Sequence, residues 1–367
     1  MKLIDKVSQA VKNSKFYDLG HFHEAWENPS LRRLMGNELL YPPSPQVIEA
    51  VQSMIPFINY YPEDAISNVR LLKALAGYAG VPGSDEKWIA LGNGSMEIID
   101  MLPHTFINEG DEILLPSPEY TPYARRPLIF GAKVVDVIPD KNFEYTLEDF
   151  TSKITPRTKM IIMSRPNAPI GNMISREVVE KLCQTDCIIV VDEAYTEFSG
   201  QSVCDLVPKY ENLIISRTFS KAMGLGGIRL GFIIAKPEII DYVNRIRVPE
   251  NISVLTQAAA LAALEDAAYI RTNTQLVIKS RDWFQDEVAK IPGITVYKSQ
   301  GNSVLLNVDG TGKTAEDYVQ DLFGKGFIVR NLSGGRNMPG KGFFRVTVGT
   351  QQDMEQVARI IKEFPQA

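Results

Sequence analysis

The chain has 367 residues, 44% of them hydrophobic and 23% charged, and a formal net charge of -5. This is ordinary globular composition, long enough for two packed domains, and without long like-charge runs it lacks the electrostatic footprint of a nucleic-acid binder. Three cysteines, Cys183, Cys187 and Cys204, and three histidines fall without metal-ligand spacing, so buried free thiols are expected and a metal centre is not.

In chain order, MKLIDKVSQAVKNSKFYDLG reads as a short amphipathic helix rather than a signal sequence, because no unbroken apolar stretch follows the first lysine. Apolar runs elsewhere are strand-sized, so neither a membrane span nor a membrane partner is expected, and the expected location is cytoplasmic. From about residue 45 to 245, helical patterns alternate with the runs KWIALG, DEILLP, AKVVDV, KMIIMS, CIIVVDEA, LIISRT and GFIIA. Several are apolar at nearly every position, which predicts an α/β domain whose mainly parallel sheet is covered by helices on both faces. A long helix near Ile252 to Asp266 follows, then strand candidates SVLLNV, GFIVRN and FFRVTVG in a smaller α+β domain. The expected division is an arm at 1–44 joining the small domain, a large domain at 45–245, and an interdomain helix with the small domain at 246–367.

Ligands on such sheets gather outside the carboxyl ends of the strands. SRTFSKAMGLGGIRLGF ends one strand with Thr218, Ser220 and Lys221 and brings Arg229 eight residues after the lysine. Hydroxyls and a guanidinium suit a phosphate, and a lysine in a desolvated cationic setting becomes an amine nucleophile for a carbonyl. The segment alone equally admits a surface lysine on a turn. Asp192 ends the buried run CIIVVDEA, where a lone carboxylate is costly without a cation such as a pyridinium nitrogen; it can also be a strand-end helix cap. Tyr195, three residues on, can donate to the phenolate oxygen of the same ring. GNGSMEII opens a helix on glycine, so the backbone at Gly94, Ser95 and Met96 is a candidate anion seat or simply a helix start. Tyr120 in LPSPEYTPY suits stacking on a flat ring, as it would a core position.

The order and spacing of these pieces resemble the fold-type I aminotransferases, especially the histidinol-phosphate aminotransferase-like branch. The similarity rests on GNELLYPPSP from Gly36, Tyr61-Pro62, GNGS, Asp192 with Tyr195, Ser220-Lys221 with Arg229, and Arg345 to Thr350. It implies that pyridoxal 5'-phosphate is the cofactor, held by Lys221 as a Schiff base, with Asn167 also at the cofactor. It further implies a homodimer with shared sites, in which Tyr61 reaches the neighbouring subunit's cofactor phosphate. Gly36, Arg330 and Arg345 would line the substrate pocket, Arg345 gripping the substrate's anion.

Two departures stand out. The family's Pro-Asn-Asn-Pro-Thr-Gly is PNAPIG here, so Ala168 replaces the asparagine that hydrogen-bonds the cofactor's phenolate oxygen. In RVPENIS, Glu250 replaces the usual tyrosine; the resemblance puts this stretch near the neighbouring subunit's substrate pocket, where a carboxylate would suit an arginine-like substrate. His21 and His23 on the arm are candidate acid/base groups. An aminotransferase is the leading expectation; elimination, cyclisation or oxidation of a hydroxylated arginine-like amino acid is the alternative, and a non-catalytic cofactor-binding regulatory module a second.

Overall fold

Runs too continuously apolar for a one-sided sheet form the centre of the larger of two β-sheets. The computed structural model describes residues 2–14 and 22–364. Its strands are β1 (Arg32–Leu34), β2 (Ile89–Gly92), β3 (Glu112–Pro116), β4 (Lys133–Val137), β5 (Thr158–Ser164), β6 (Ile188–Asp192), β7 (Leu213–Thr218), β8 (Gly231–Ile234), β9 (Thr295–Tyr297), β10 (Ser303–Asn307), β11 (Phe327–Asn331) and β12 (Phe343–Thr347). Every expected strand forms within two residues of its expected bounds. Only β1 and β9, three residues each, were not anticipated, being too short to carry a period.

The seven-stranded sheet has the order β2-β8-β7-β6-β5-β3-β4, and the five-stranded sheet β1-β11-β12-β10-β9. In the larger sheet β4, β3, β5, β6 and β7 run parallel, while β8 pairs antiparallel with both β7 and β2. Residues Leu213 to Thr218 are buried at every position, as burial on both faces demands. Each such Ile, Leu or Val contributes roughly 1.5–3 kcal/mol relative to exposure. The parallel pairing places the carboxyl ends of β3, β5, β6 and β7 along one edge.

Two details position that edge. Ser164 pairs with Asp192, and Asp192 with Ser216, so β5 and β6 end level and β7 runs two residues further to Thr218. The two acids at the end of β6 then diverge. Asp192 turns to the edge, whereas Glu193, fully buried, accepts from Arg217 Nη2 at 2.8 Å and from the Val203 amide at 2.6 Å. In the smaller sheet β1 adds parallel to β11 through Arg32↔Phe327. Arg32 also forks onto Asp353 at 2.8 and 2.7 Å, the residue that completes the Thr350 capping box of helix Gln351–Glu363.

The expected N-terminal helix is instead a short 3-10 turn at Leu3–Lys6 and a helix at Gln9–Asn13, because Val7 and Ser8 are extended and Ser8 caps the second piece; its last stretch, 15–20, lies outside the described residues. Helix Val254–Glu265 matches the expected long helix, and Ala267–Val288 continues in a new direction beyond Asp266. Among the described residues no helix is long and apolar enough to cross a membrane. All three cysteines are buried and free.

Candidate active site

The edge of the larger sheet, the segment after β1 and the ends of β11 and β12 enclose a cleft of about 480 Å³. Lys221, Asp192, Tyr195, Thr218, Ser220, Ser95, Met96, Tyr120, Arg229, Gly36, Arg330 and Arg345 all line it. Residues more than 300 positions apart in the chain thus face one volume.

Lys221 reaches out of the turn after β7, and its Nζ donates to the Gly36 carbonyl at 2.9 Å. Burial pushes its amine down to about 8, and the nearby Arg345 guanidinium presses the same way against the opposing pull of Glu38 and Asp192. A larger fraction is therefore neutral near pH 7 than for an ordinary lysine, which is the state a nucleophilic amine needs.

Asp192 is 6% exposed. Its Oδ2 accepts from the Tyr123 hydroxyl at 2.9 Å and its Oδ1 from the Ala194 amide at 3.1 Å. Burial pushes the carboxyl up to about 6 despite these two donors. Among the described residues no cation forms an ion pair with it, so a carboxylate this deep calls for a positively charged partner from outside the chain. Tyr195 accepts from Asn37 Nδ2 at 3.0 Å, which leaves its own O–H to donate into the cleft. Asn37 is itself fixed by Thr347, whose hydroxyl donates to Asn37 Oδ1 at 3.1 Å.

An anion seat lies at the other end of the edge. Helix Ser95–Phe106 opens on Gly94, which carries no side-chain cap and has φ +74°. A Cβ at Gly94 would come within 2.2 Å of Arg229 Nη2, so glycine is what lets the guanidinium lie against the helix start. Gly231 serves the same approach from β8, since a Cβ there would stand 2.7 Å from the Ser95 amide nitrogen. With the Thr218 and Ser220 hydroxyls alongside, backbone amides, a guanidinium and two hydroxyls converge as a phosphate site requires. A desolvated amine, a buried carboxylate lacking a cation and a phosphate seat, on one cleft floored by Tyr120, fit the aldehyde, ring nitrogen and phosphate of pyridoxal phosphate.

Two residues expected in this cleft, Asn167 and His23, stand elsewhere. Asn167 does not line the cleft: its Nδ2 donates to the Pro118 carbonyl and to Glu119 Oε2 and its Oδ1 accepts from the Ile170 amide, so it anchors its own loop. The His23 side chain is 80% exposed and bonds Glu27 one turn along its helix, while its neighbour Phe22 turns into the cleft. His21 lies outside the described residues. Tyr61, 87% exposed, and Glu250, also exposed, stand outside this chain's own cleft; the Glu250 backbone is held by Asp64, which also pairs with Arg247. Cleft residues that went unassigned include Asn37, Glu38, Glu119, Ser164 and Arg336. Behind the cleft, Tyr123 sits in the same LPSPEYTPY segment as Tyr120, and only its hydrogen bond in the folded chain shows that it reaches Asp192.

Residues 32–361 match the model of the aminotransferase class I and II family. A histidinol-phosphate aminotransferase of Methanothermobacter thermautotrophicus is 36% identical over 336 residues, covering 91% of this chain and 89% of the relative. One from Methanocaldococcus jannaschii is 33% identical over 370 residues, covering 98% and 97%. Among solved structures, the histidinol-phosphate aminotransferase of Clostridium acetobutylicum superposes with a TM-score of 0.82 at 26% identity, covering 90% of this chain and 98% of that one. That of Sinorhizobium meliloti, in complex with pyridoxal-5'-phosphate, gives 0.86 at 22% identity, covering 98% and 97%.

Proposed function

The chain belongs to the class I and II aminotransferases, enzymes dependent on pyridoxal phosphate, and from that premise we propose that it is a homodimeric histidinol-phosphate aminotransferase. The observation that carries the substrate class is the pairing of Arg330 with Arg345 directly across β11 and β12, both on the cleft wall. Two guanidiniums side by side on a cleft wall suit an anionic ligand. A phosphate monoester is one, as is the carboxylate of the amino acid in the second half of the exchange. The relatives named above, at 33–36% identity over most of the chain, support the phosphate-bearing amine.

When bound, pyridoxal phosphate supplies an aldehyde carbon that takes the amino group and a ring that accepts the electrons left at Cα. Lys221 Nζ would anchor it and move the proton from Cα. Asp192 would hold a proton on the ring nitrogen, and the Tyr195 hydroxyl would donate to the phenolic oxygen. Arg229, Thr218, Ser220 and the amides of Ser95 and Met96 would bind the phosphate, with Tyr120 beside the ring. Support for the dimer comes from Ile55, Phe57, Ile58, Tyr60, Tyr61, Ile66 and Val69, all exposed between residues 55 and 69, an apolar concentration that a partner surface would cover. Glu250, whose amide is held by Asp64, stands beside that surface rather than in this chain's own pocket, and the relatives favour the phosphate-bearing amine over a guanidinium substrate.

Steady-state rates for histidinol phosphate, histidinol and arginine with a 2-oxo acid acceptor test the reading. Histidinol phosphate should exceed histidinol in kcat/KM by roughly 10- to 150-fold, the worth of one charge-assisted hydrogen bond of about 1.5–3 kcal/mol. Equal rates for the two, or a faster reaction with arginine, would overturn it.

A further inference from the structure

Glu119 is the one acid of the cleft that the reaction above leaves without a task and that ties several wall segments together. It follows β3, and its carboxylate gathers four donors. Oε1 accepts from the Tyr120 amide at 2.8 Å and from the Ser164 hydroxyl; Oε2 accepts from the Ser164 amide at 2.8 Å and from Asn167 Nδ2 at 3.2 Å. The Ser164 oxygen in turn accepts from the Ala168 amide at 3.1 Å. Ser164 is the register partner of Asp192. A second carboxylate therefore stands one strand away from the first, on the wall that carries Ala168, and Glu119, Ser164, Ala168 and Asp192 all face the same volume.

That arrangement is electrostatically lopsided. The position that an amide donor would occupy is a methyl group, and on the same wall stands a carboxyl group whose four donors all favour its charged form. Among the described residues no cation forms an ion pair with Glu119. Facing it are Asp192 from the end of β6, Tyr195 from the turn that follows, Tyr123 from helix Thr121–Arg125 and Tyr145 from the segment before helix Leu147–Thr151. The tyrosines are neutral near pH 7, and Lys221 is the cleft's cation closest to Asp192's charge. Burial pushes the Glu119 carboxyl itself up to about 7, so it senses the charge of whatever binds beside it.

We infer that Glu119 is a positioning residue that raises the proton affinity of the cofactor's phenolic oxygen, acting together with the donor that Ala168 fails to supply. The inference rests on the pyridoxal-phosphate reading of the cleft. Its physical content is simple: an anion nearby and a missing hydrogen bond both favour the protonated form of the chromophore.

The test is a pH titration of the near-violet absorption of the holoenzyme. In Glu119→Gln, which keeps the size and one carbonyl acceptor but removes the charge, the midpoint should fall by about one pH unit or more, the lower end of the effect of a close charge. Ala168→Asn, which leaves Glu119 in place and restores a donor, should lower it as well. A Glu119→Gln midpoint equal to that of the wild type overturns the inference, even where its melting temperature or kcat has changed, because an anchor without electrostatic reach would move only those. Should Glu119→Gln fail to retain cofactor, the Ala168→Asn midpoint decides: a fall supports the inference and an unchanged value overturns it. A wild-type protein with no near-violet band after loading would instead overturn the cofactor reading beneath it.

Discussion

The Lys221 amine donates to the carbonyl oxygen of Gly36 across 2.9 Å, joining the edge of the seven-stranded sheet to the segment that leaves the first strand of the five-stranded one. The residue expected to hold the cofactor is thus also a tie between the two sheets. Capture of an aldehyde by Lys221 would leave this amine fewer N–H groups with which to make that tie.

The same amine gives a pH prediction. Because burial and Arg345 hold Lys221 at about 8, its neutral fraction should grow about tenfold per pH unit below that value and level off above it. The rate of cofactor capture by the cofactor-free protein, followed by absorbance, should trace this curve. A midpoint near the ordinary lysine value would contradict the depressed amine.

Lys221→Ala should abolish the near-violet band and lower amino transfer by at least about 10²–10⁴-fold, the usual worth of a positioned proton-transfer group. Borohydride treatment of the loaded wild type should label the peptide containing Thr218 to Met223, and the variant should remain unlabelled.

Asp192 carries a stability signature of the opposite kind. Its folded carboxyl, near 6, lies above the ordinary aspartate value of 3.8, so the folded state binds more protons between those values and stability falls as pH rises through them. Asp192→Asn should therefore raise the melting temperature of the cofactor-free protein above pH 6, by a few degrees at roughly 2–4 °C per kcal/mol, and have little effect below about pH 4. In the loaded enzyme the same change should slow amino transfer by roughly 10- to 150-fold, the loss of a charge-assisted hydrogen bond.

Gly94→Ala would set a methyl group against Arg229 Nη2 and force an L side chain into φ +74°. Strain of about 1–3 kcal/mol at such a position should weaken cofactor binding roughly 5- to 150-fold. Equilibrium dialysis of pyridoxal phosphate against the variant measures it, and unchanged affinity would remove the helix start from the phosphate seat.

Much of this site is legible in the sequence because it is local. Asp192 with Tyr195, Thr218 to Lys221 with Arg229, and the glycine turn before Ser95 each occupy one strand end, where an apolar run stops and polar residues begin. What escaped is what only tertiary pairing creates. Tyr123 and Asp192 are 69 positions apart, Glu119 and Ser164 are 45 apart, and Asn37 meets Thr347 across 310. Asn167 misled for a related reason: its motif places it in the right loop, yet the loop turns its amide toward Glu119, and no local pattern distinguishes inward from sideways. His23 and Phe22 differ by one position on a helix, enough to send one to solvent and the other to the cleft.

The adjacent acids Asp192 and Glu193 make the end of the sixth strand a two-way switchboard wired by chain parity. One carboxylate is delivered to the cleft and the next to a buried arginine, solely because successive side chains alternate in direction. A single-residue insertion or deletion between Ile188 and Asp192 would exchange the two, leaving the shorter acid to span the distance to Arg217 and pushing the longer one into the cleft. Chemical competence here is therefore a counting property of five consecutive residues, and it is more fragile to a frame change of one than to many substitutions along the same strand.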